Sequence, residues 1–400
     1  MARKINLQAF KDFLRSGQIG GILLLVSVVV SLSIANSPLY ESFASILHHQ
    51  LGFVLGSVNL QYSTEIWIND GLMAIFFLLV GLEIKREIVE GELSSIKQAA
   101  MPVFAALGGM LFPAAIYAMF NQGTETAAGW GIPMATDIAF ALAIISMLGD
   151  KVPSSLKIFL AALAIVDDLG AIVVIAVFYT NELHTDQLLY SAGIMALLVA
   201  FNKLRVKNLL FYLIPGVFLW YFVHHSGIHA TIAGVLLAFT IPTNTSDEES
   251  PLEKLEHSLT KPVNFLIMPI FALANTLIRF ESGMVEGLAS SLGMGIIFGL
   301  IVGKTLGIFA FSWLSVKLKW SGLPSGARWT HIAGVGLLGG IGFTMSIFIS
   351  LLSFDDVLLQ SEAKFSILIA SILAGSMGFM YLKSLNKSKI ITYDNKNEAF

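Results

Sequence analysis

The sequence predicts an all-α polytopic membrane protein of about twelve transmembrane helices, built on an inverted repeat with two discontinuous helices crossing inside it. Three observations carry this prediction. Of 400 residues, 56% are hydrophobic and only 13% charged, and the mean hydropathy is +0.77, far from the balance of a soluble domain. Apolar segments of about 20 residues, each able to cross roughly 30 Å of hydrocarbon as a helix, recur along nearly the whole chain. Two of these segments are interrupted by glycine and proline at corresponding places in two three-span groups, the pattern of an inverted-repeat transporter.

In chain order the spans fall near 18–35, 65–84, 98–120, 127–148, 154–180, 187–202, 208–222, 226–241, 260–279, 290–316, 329–352 and 363–382. Their continuous apolar runs exclude a barrel, whose strands would alternate. The first run follows Arg3, Lys4, Lys11 and Arg15 but has no clear cleavage site, so it is expected to be a retained helix rather than a signal peptide. With the N-terminus cytoplasmic, all but three of the 24 Lys and Arg residues fall on the inner side. The exceptions are Arg279 and Lys364 outside and Lys304 within a span. This asymmetry supports both the even count and cytoplasmic termini.

The organisation expected is a cytoplasmic segment at 1–17, one transmembrane unit at 18–382 with repeats at about 98–180 and 290–382, and a cytoplasmic tail at 383–400. Within the connection 36–64, the stretch "LGFVLGSVNLQY" alternates and carries glycines, as an exposed hairpin would. The connection 242–257, "PTNTSDEESPLEKLEH", is polar and charged. No cysteine is present, which excludes disulfides, thiol catalysis and Cys-based metal sites. A net charge of -3 without a long basic stretch argues against nucleic acid as a partner.

Charges inside the apolar runs are the candidates for function, because an unpaired ion there costs at least about 2.5 to 3.5 kcal/mol. They are Asp137, Asp167, Asp168 and Lys304, with Glu83 and Glu87 at an inner helix end. In "LAIVDDLGAIVVIAVF" the adjacent acids leave a helix about 100° apart, so one can meet a helix partner while the other faces a cavity. Two close carboxylates resist ionising together, so the pair suits protons or a hard monovalent cation, Na+ or Li+. Thr136 is expected to add its oxygens to those of Asp168, and no histidine pair or thiolate favours a transition metal. Lys304 needs a carboxylate, and either a structural bridge or a switchable bridge to Asp167 would supply one.

The fourth span has Gly129, Gly131 and Pro133 just before Thr136 and Asp137. The eleventh has Gly334, Gly336, Gly339, Gly340 and Gly342 just before Thr344 and Ser346. Half-helices meeting at mid-membrane would aim positive N-terminal ends at one point and negative C-terminal ends at another. Asp137 is placed to offset the first and Lys304 the second. The plainer alternative is that these glycines only permit close helix packing.

The stretches "FLLVGLEIKREIVEGEL", "PMATDIAFAL", "AIVDDLGAIVVIAVFY", "HATIAGVLLAF", "LEHSLTKPVNFLIMPIFALANT" and "GGIGFTMSIFI" together resemble the NhaA-type sodium/proton antiporters, from about residue 10 to 382. The resemblance implies the NhaA fold in a bacterial inner membrane, exchange of Na+ or Li+ for H+, and a cation and proton site at Asp167 and Asp168. It also implies that Lys304 partners Asp167, that Thr136 and Asp137 belong to the helix crossing, and that no cofactor is needed. A pH-sensing group at Glu83, Arg86, Glu87, Lys254, Glu256 and His257 is implied too, with His229 linked to the pH profile. From the residues alone, Glu83, Arg86 and Glu87 could equally be an ordinary charged helix end, and His229 a satisfied core histidine. The segment 45–60 matches a hairpin that stabilises homodimers in relatives. Thr260 stands where family members often carry a second histidine, and Glu253 precedes Lys254 where a basic residue is common, so the sensor is less basic than the family pattern.

The mechanism this implies is alternating access, electrogenic and activated at alkaline pH. A passive cation channel would leave Lys304 unexplained. An intramembrane aspartyl protease draws its two acids from separate helices, and a prenyltransferase-like metal motif would need an acid where Ala171 stands.

Overall fold

The computed structural model describes residues 7–55, 58–180, 183–244, 249–281 and 283–385, with side chains before residue 19 and at 55–58 left aside. Helix α1 (Leu7–Ala35) turns through 111° into the short α2 (Tyr40–His48). A hairpin follows. Its strands β1 (Gln50–Leu51) and β4 (Tyr62–Ser63) pair antiparallel, as do β2 (Val54–Leu55) and β3 (Val58–Asn59) nearer the tip. Phe53 and Val54 are exposed there, so the alternation in this stretch does form a projecting hairpin.

The single turn α3 (Thr64–Ile66) and a π-helical segment, Trp67–Leu72, lead into α4 (Met73–Val89). Helix α5 (Ile96–Asn121) precedes a 3₁₀ segment, Glu125–Met134, which is separated by a break from α6 (Ile138–Met147). Then come α7 (Ser154–Phe178), α8 (Thr185–Lys203), α9 (Leu210–His225) and α10 (Ile232–Thr240). Helix α11 (Pro251–Pro262) runs through a second π segment, Val263–Ile267, into α12 (Met268–Asn275). The last part comprises α13 (Met284–Gly287), α14 (Ser291–Phe298), a third π segment at Gly299–Gly303, and α15 (Lys304–Lys317). Helices α16 (Trp329–Gly339), α17 (Phe343–Ser353) and α18 (Val357–Ser384) complete it.

Among the described residues, four helical stretches are long and apolar enough to cross a membrane unaided: Ile96–Asn121, Ser154–Phe178, Ser291–Lys317 and Val357–Ser384. Seven qualify if each bent pair counts as one span. The remaining predicted spans fall on helices that are shorter or divided, for identifiable reasons. The run 226–241 is not one helix: Gly227 takes a left-handed φ of 88°, and only Ile232–Thr240 is helical after it. The connection 242–257 is not wholly a loop, because Ser250 and Glu253 form a reciprocal capping box that starts α11 at Pro251. Helix α18 begins at Val357, six residues before the predicted 363, with the Asp356 side chain accepting from Leu358 N. The expected N-terminal segment 1–17 already contains the start of α1, and the tail beyond 385 lies outside the described residues.

Helix α15 lies along α5 at a crossing of small residues. A Cβ added at Gly108 would run into the Gly307 carbonyl, and one at Gly307 into that of Gly108. The backbones therefore touch, as small residues allow in membranes, and this close approach fixes where α15 presents Lys304. A second apolar cluster, including Leu82, Tyr212, Leu219 and Leu237, joins α4, α9 and α10. Gly307→Leu is expected to cost about 1 to 3 kcal/mol by overpacking, read as a lower thermal midpoint of the purified protein in detergent. An unchanged midpoint would contradict the contact.

Candidate ion site at the helix crossing

Both breaks follow from the sequence. Pro133 and the glycines before it weaken the regular ladder, the 3₁₀ segment stops at Met134, and Ala135 and Asp137 are extended. In the second pair α16 stops at Gly339 and α17 resumes at Phe343. The bends are 43° and 46°. The two breaks touch: Asp137 N donates to Ile341 O at 2.6 Å.

Side chains satisfy the four helix ends around this contact. Asp137 Oδ1 accepts from Phe140 N at 3.1 Å, capping α6. Its Oδ2 accepts from Thr344 N at 3.1 Å and Thr344 Oγ1 at 2.5 Å, at the start of α17. One carboxylate thus serves two positive helix ends. At the negative ends, Lys304 Nζ donates to Met134 O and Ser346 Oγ to Ile132 O at 2.6 Å. Thr136 Oγ1 stands 2.9 Å from Gly339 O. Asp137 thus lies at N-terminal ends of the bent pairs and Lys304 at a carbonyl of the first.

Asp167 and Asp168 sit on α7 and diverge. Asp167 Oδ2 accepts from Lys304 Nζ and lies 2.6 Å from Thr136 Oγ1. Asp168 is 2% exposed and, among the described residues, its Oδ1 has no partner. It lines a cavity of about 50 Å³ together with Glu83, Asp137 and Thr344. Thr136 therefore joins Asp167, not Asp168 as the oxygen inventory suggested. The reason is that its hydroxyl faces the Lys304 side of α7 rather than the cavity.

The expected pH-sensing residues divide into three places. Arg86 Nη1 meets Glu256 Oε1 at 2.8 Å and its Nη2 meets Glu87 Oε1 at 3.1 Å. Glu256 lies ahead of the span beginning near 260. Burial raises its pKa above the ordinary carboxylate value, with Arg86 pulling the other way. Lys254 is exposed, and His257 turns to Glu249 at 3.0 Å, so neither joins the Arg86 group. His229 is at the other end of α4, where Asp70 lies between His229 Nε2 at 3.6 Å and His224 Nδ1 at 3.4 Å.

Sequence reasoning missed Asp70 and His224. The signal was present in "IWINDGLMAI", an acid in an apolar run, but its place near a predicted helix start made it look solvated. Lys85 was also passed over. Its Nζ donates to Phe239 O at 2.8 Å and Ile241 O at 2.5 Å, holding the end of α10.

Against known proteins, residues 11–382 match the profile of the family described as Na+/H+ antiporter 1. The chain belongs to this family. It is 64% identical over 390 residues to the Na(+)/H(+) antiporter NhaA 2 of Flavobacterium johnsoniae, covering 97% of this chain and 96% of that one. It is 53% identical over 388 residues to the Na(+)/H(+) antiporter NhaA of Flavobacterium psychrophilum, covering 97% and 98%. The NhaA antiporter of Bordetella parapertussis is 48% identical over 380 residues, covering 93% and 96%. The matched residues, 11–382, span the whole of the crossing.

Removing one partner of a buried ion pair leaves the other uncompensated, at about 3 to 5 kcal/mol. Lys304→Met should therefore lower the thermal midpoint markedly, and Asp167→Asn in the same chain should recover much of the loss. Additive losses in the double variant would contradict the pairing.

Proposed function

We propose that this chain is a sodium/proton antiporter, a secondary active transporter that exchanges intracellular Na+ or Li+ for external H+ by alternating access. The observation that carries the reading is the division of labour between neighbouring acids: Asp167 is held by Lys304, while Asp168 lines a cavity and, among the described residues, has no cationic partner. A cation and a proton compete for the same carboxylates, and that competition couples their movements. The family membership and the antiport activity named for the relatives support the same exchange.

In this account the chain crosses a bacterial inner membrane twelve times, with both termini cytoplasmic, as the distribution of Lys and Arg favours. The bent pairs are the discontinuous helices of an inverted repeat. The cavity beside Asp168, near the Arg86 end of α4, is the inward opening. Two protons entering for each cation leaving make the exchange electrogenic, so the membrane potential contributes about 2.3 kcal/mol per charge per 100 mV to expelling sodium. The hairpin around residues 45–60 contacts a second copy in a homodimer.

The deciding measurement is sodium-induced proton release from acid-loaded everted vesicles, followed with a pH-sensitive dye between about pH 6.5 and 8.5, the range in which buried carboxylates titrate. Asp168→Asn should abolish the signal. A wild-type preparation without a sodium-dependent signal at any pH would sink the proposal, and conductance without proton movement would favour a channel.

Glu256 and Arg86 supply the alkaline activation. Burial raises the Glu256 pKa, so its proton leaves only as pH rises, and the charge then formed strengthens its pairing with Arg86. Glutamine mimics the protonated state. Glu256→Gln should therefore move half-activation to higher pH, by at least about 0.5 unit if this pair is worth near 1 kcal/mol. A profile superimposable on wild type would remove Glu256 from the sensor.

A further inference from the structure

Five polar side chains line the cavity beside Asp168: Glu83, Asp137, Asp168, Thr344 and Asn264. Two of these are already committed. Asp137 accepts three hydrogen bonds at the helix ends, and the Thr344 hydroxyl is spent on Asp137. Of the remaining three, Glu83 and Asp168 are acids. Asn264 alone offers an uncharged oxygen, and among the described residues its side-chain amide has no hydrogen-bond partner.

Its placement has a local cause. Asn264 belongs to the π segment Val263–Ile267 between α11 and α12, and such widened turns change the direction in which a side chain leaves the helix. Helix α1 packs against that turn. A Cβ added at Gly20 would sit 3.4 Å from Asn264 O and 3.5 Å from its Cβ. The backbone behind the amide is thereby held while the amide itself stays half-buried at the cavity wall.

We propose that Asn264 is a cation-selecting residue of the inner cavity, its amide oxygen replacing one water of a monovalent cation before the cation reaches Asp168. Hard cations exchange water for oxygen ligands, and a neutral carbonyl dipole can take a water's place without adding charge. A carboxylate in this position would offer the same oxygen but would also bind protons, and so would serve the cation only once ionised. The amide binds no proton, and its NH₂ group can turn to an ionised Glu83 or Asp168 when no cation is present. The cavity volume of about 50 Å³ holds the ion and only a few waters, so the loss of a single ligand should be felt.

This inference rests on the proposed exchange, and the experiment keeps the two apart. Sodium-induced and lithium-induced proton release would be followed in everted vesicles as a function of cation concentration, for wild type, Asn264→Leu, Asn264→Ala and Asn264→Asp. Asn264→Leu and Asn264→Ala should raise the apparent KM for sodium about five-fold, the size of one lost polar contact, with the larger effect on KM than on the maximal rate. Lithium, which needs fewer ligands, should be less affected, so the ratio of sodium to lithium KM rises. Asn264→Asp, which keeps an oxygen in place, should bring the sodium KM back to within about two-fold of wild type at alkaline pH, where the added acid is ionised. An unchanged KM in both apolar variants would overturn the inference. So would a raised KM that aspartate fails to restore, since that marks packing rather than an oxygen contact. Loss of the signal in wild type would overturn the antiport reading itself.

Discussion

The arrangement depends on four helix ends placed together in a buried apolar interior. A helix interrupted there leaves amide and carbonyl groups with no water to meet, and each uncovered group would cost several kcal/mol. Asp137 covers two of the N-terminal ends at once, and Lys304 and Ser346 cover carbonyls of the first broken segment. The two breaks then hold each other through Asp137 N and Ile341 O. Everything else at the site takes its position from this crossing.

Lys304 links the crossing to the acids. It reaches Met134 O and Asp167 from α15, and α15 can approach only because Gly108 and Gly307 let its backbone touch α5. The third π segment, Gly299–Gly303, ends immediately before the lysine and sets its direction. A glycine contact one turn from Lys304 therefore governs an ion pair, by the same close packing that a larger residue would prevent. The Asp70 group at the other end of α4 is separate from this chain of contacts, although Trp220 Nε1 donating to Asp70 O at 3.1 Å ties it to α9.

Much of this was legible because the relevant signals are local. Gly, Pro and a buried acid in "GWGIPMATD" mark a break from the sequence alone, and the structure puts it at 135–137. The half-helix argument required only the sign of the dipoles to place Asp137 and Lys304. What could not be read depends on rotation about helix axes. That Thr136 faces Asp167, that His257 turns toward Glu249, and that His229 meets Asp70 are set by how whole helices are seated, and neighbours in three dimensions leave no spacing in the chain. The capping box at Ser250 and Glu253 was legible in principle, since the motif is local, but the charged composition of the stretch obscured it.

Charge balance explains why two adjacent acids are useful here. The half-charges of two N-terminal ends and two C-terminal ends cancel to a first approximation, leaving three carboxylates and one ammonium. Were all of them ionised, the site would carry a surplus of negative charge in a medium that penalises it heavily. Lys304 answers Asp167, and the helix ends answer Asp137, so the uncompensated charge falls on Asp168. A proton or a monovalent cation can neutralise it, and either makes the other unnecessary. Because α7 turns Asp168 about 100° away from Asp167, that neutralising charge can come from the cavity without breaking the bridge first. Under the proposed exchange, exclusive occupancy by one of two cargoes would follow from electrostatics at this helix crossing, and a passive pore would have no reason to maintain so costly an imbalance.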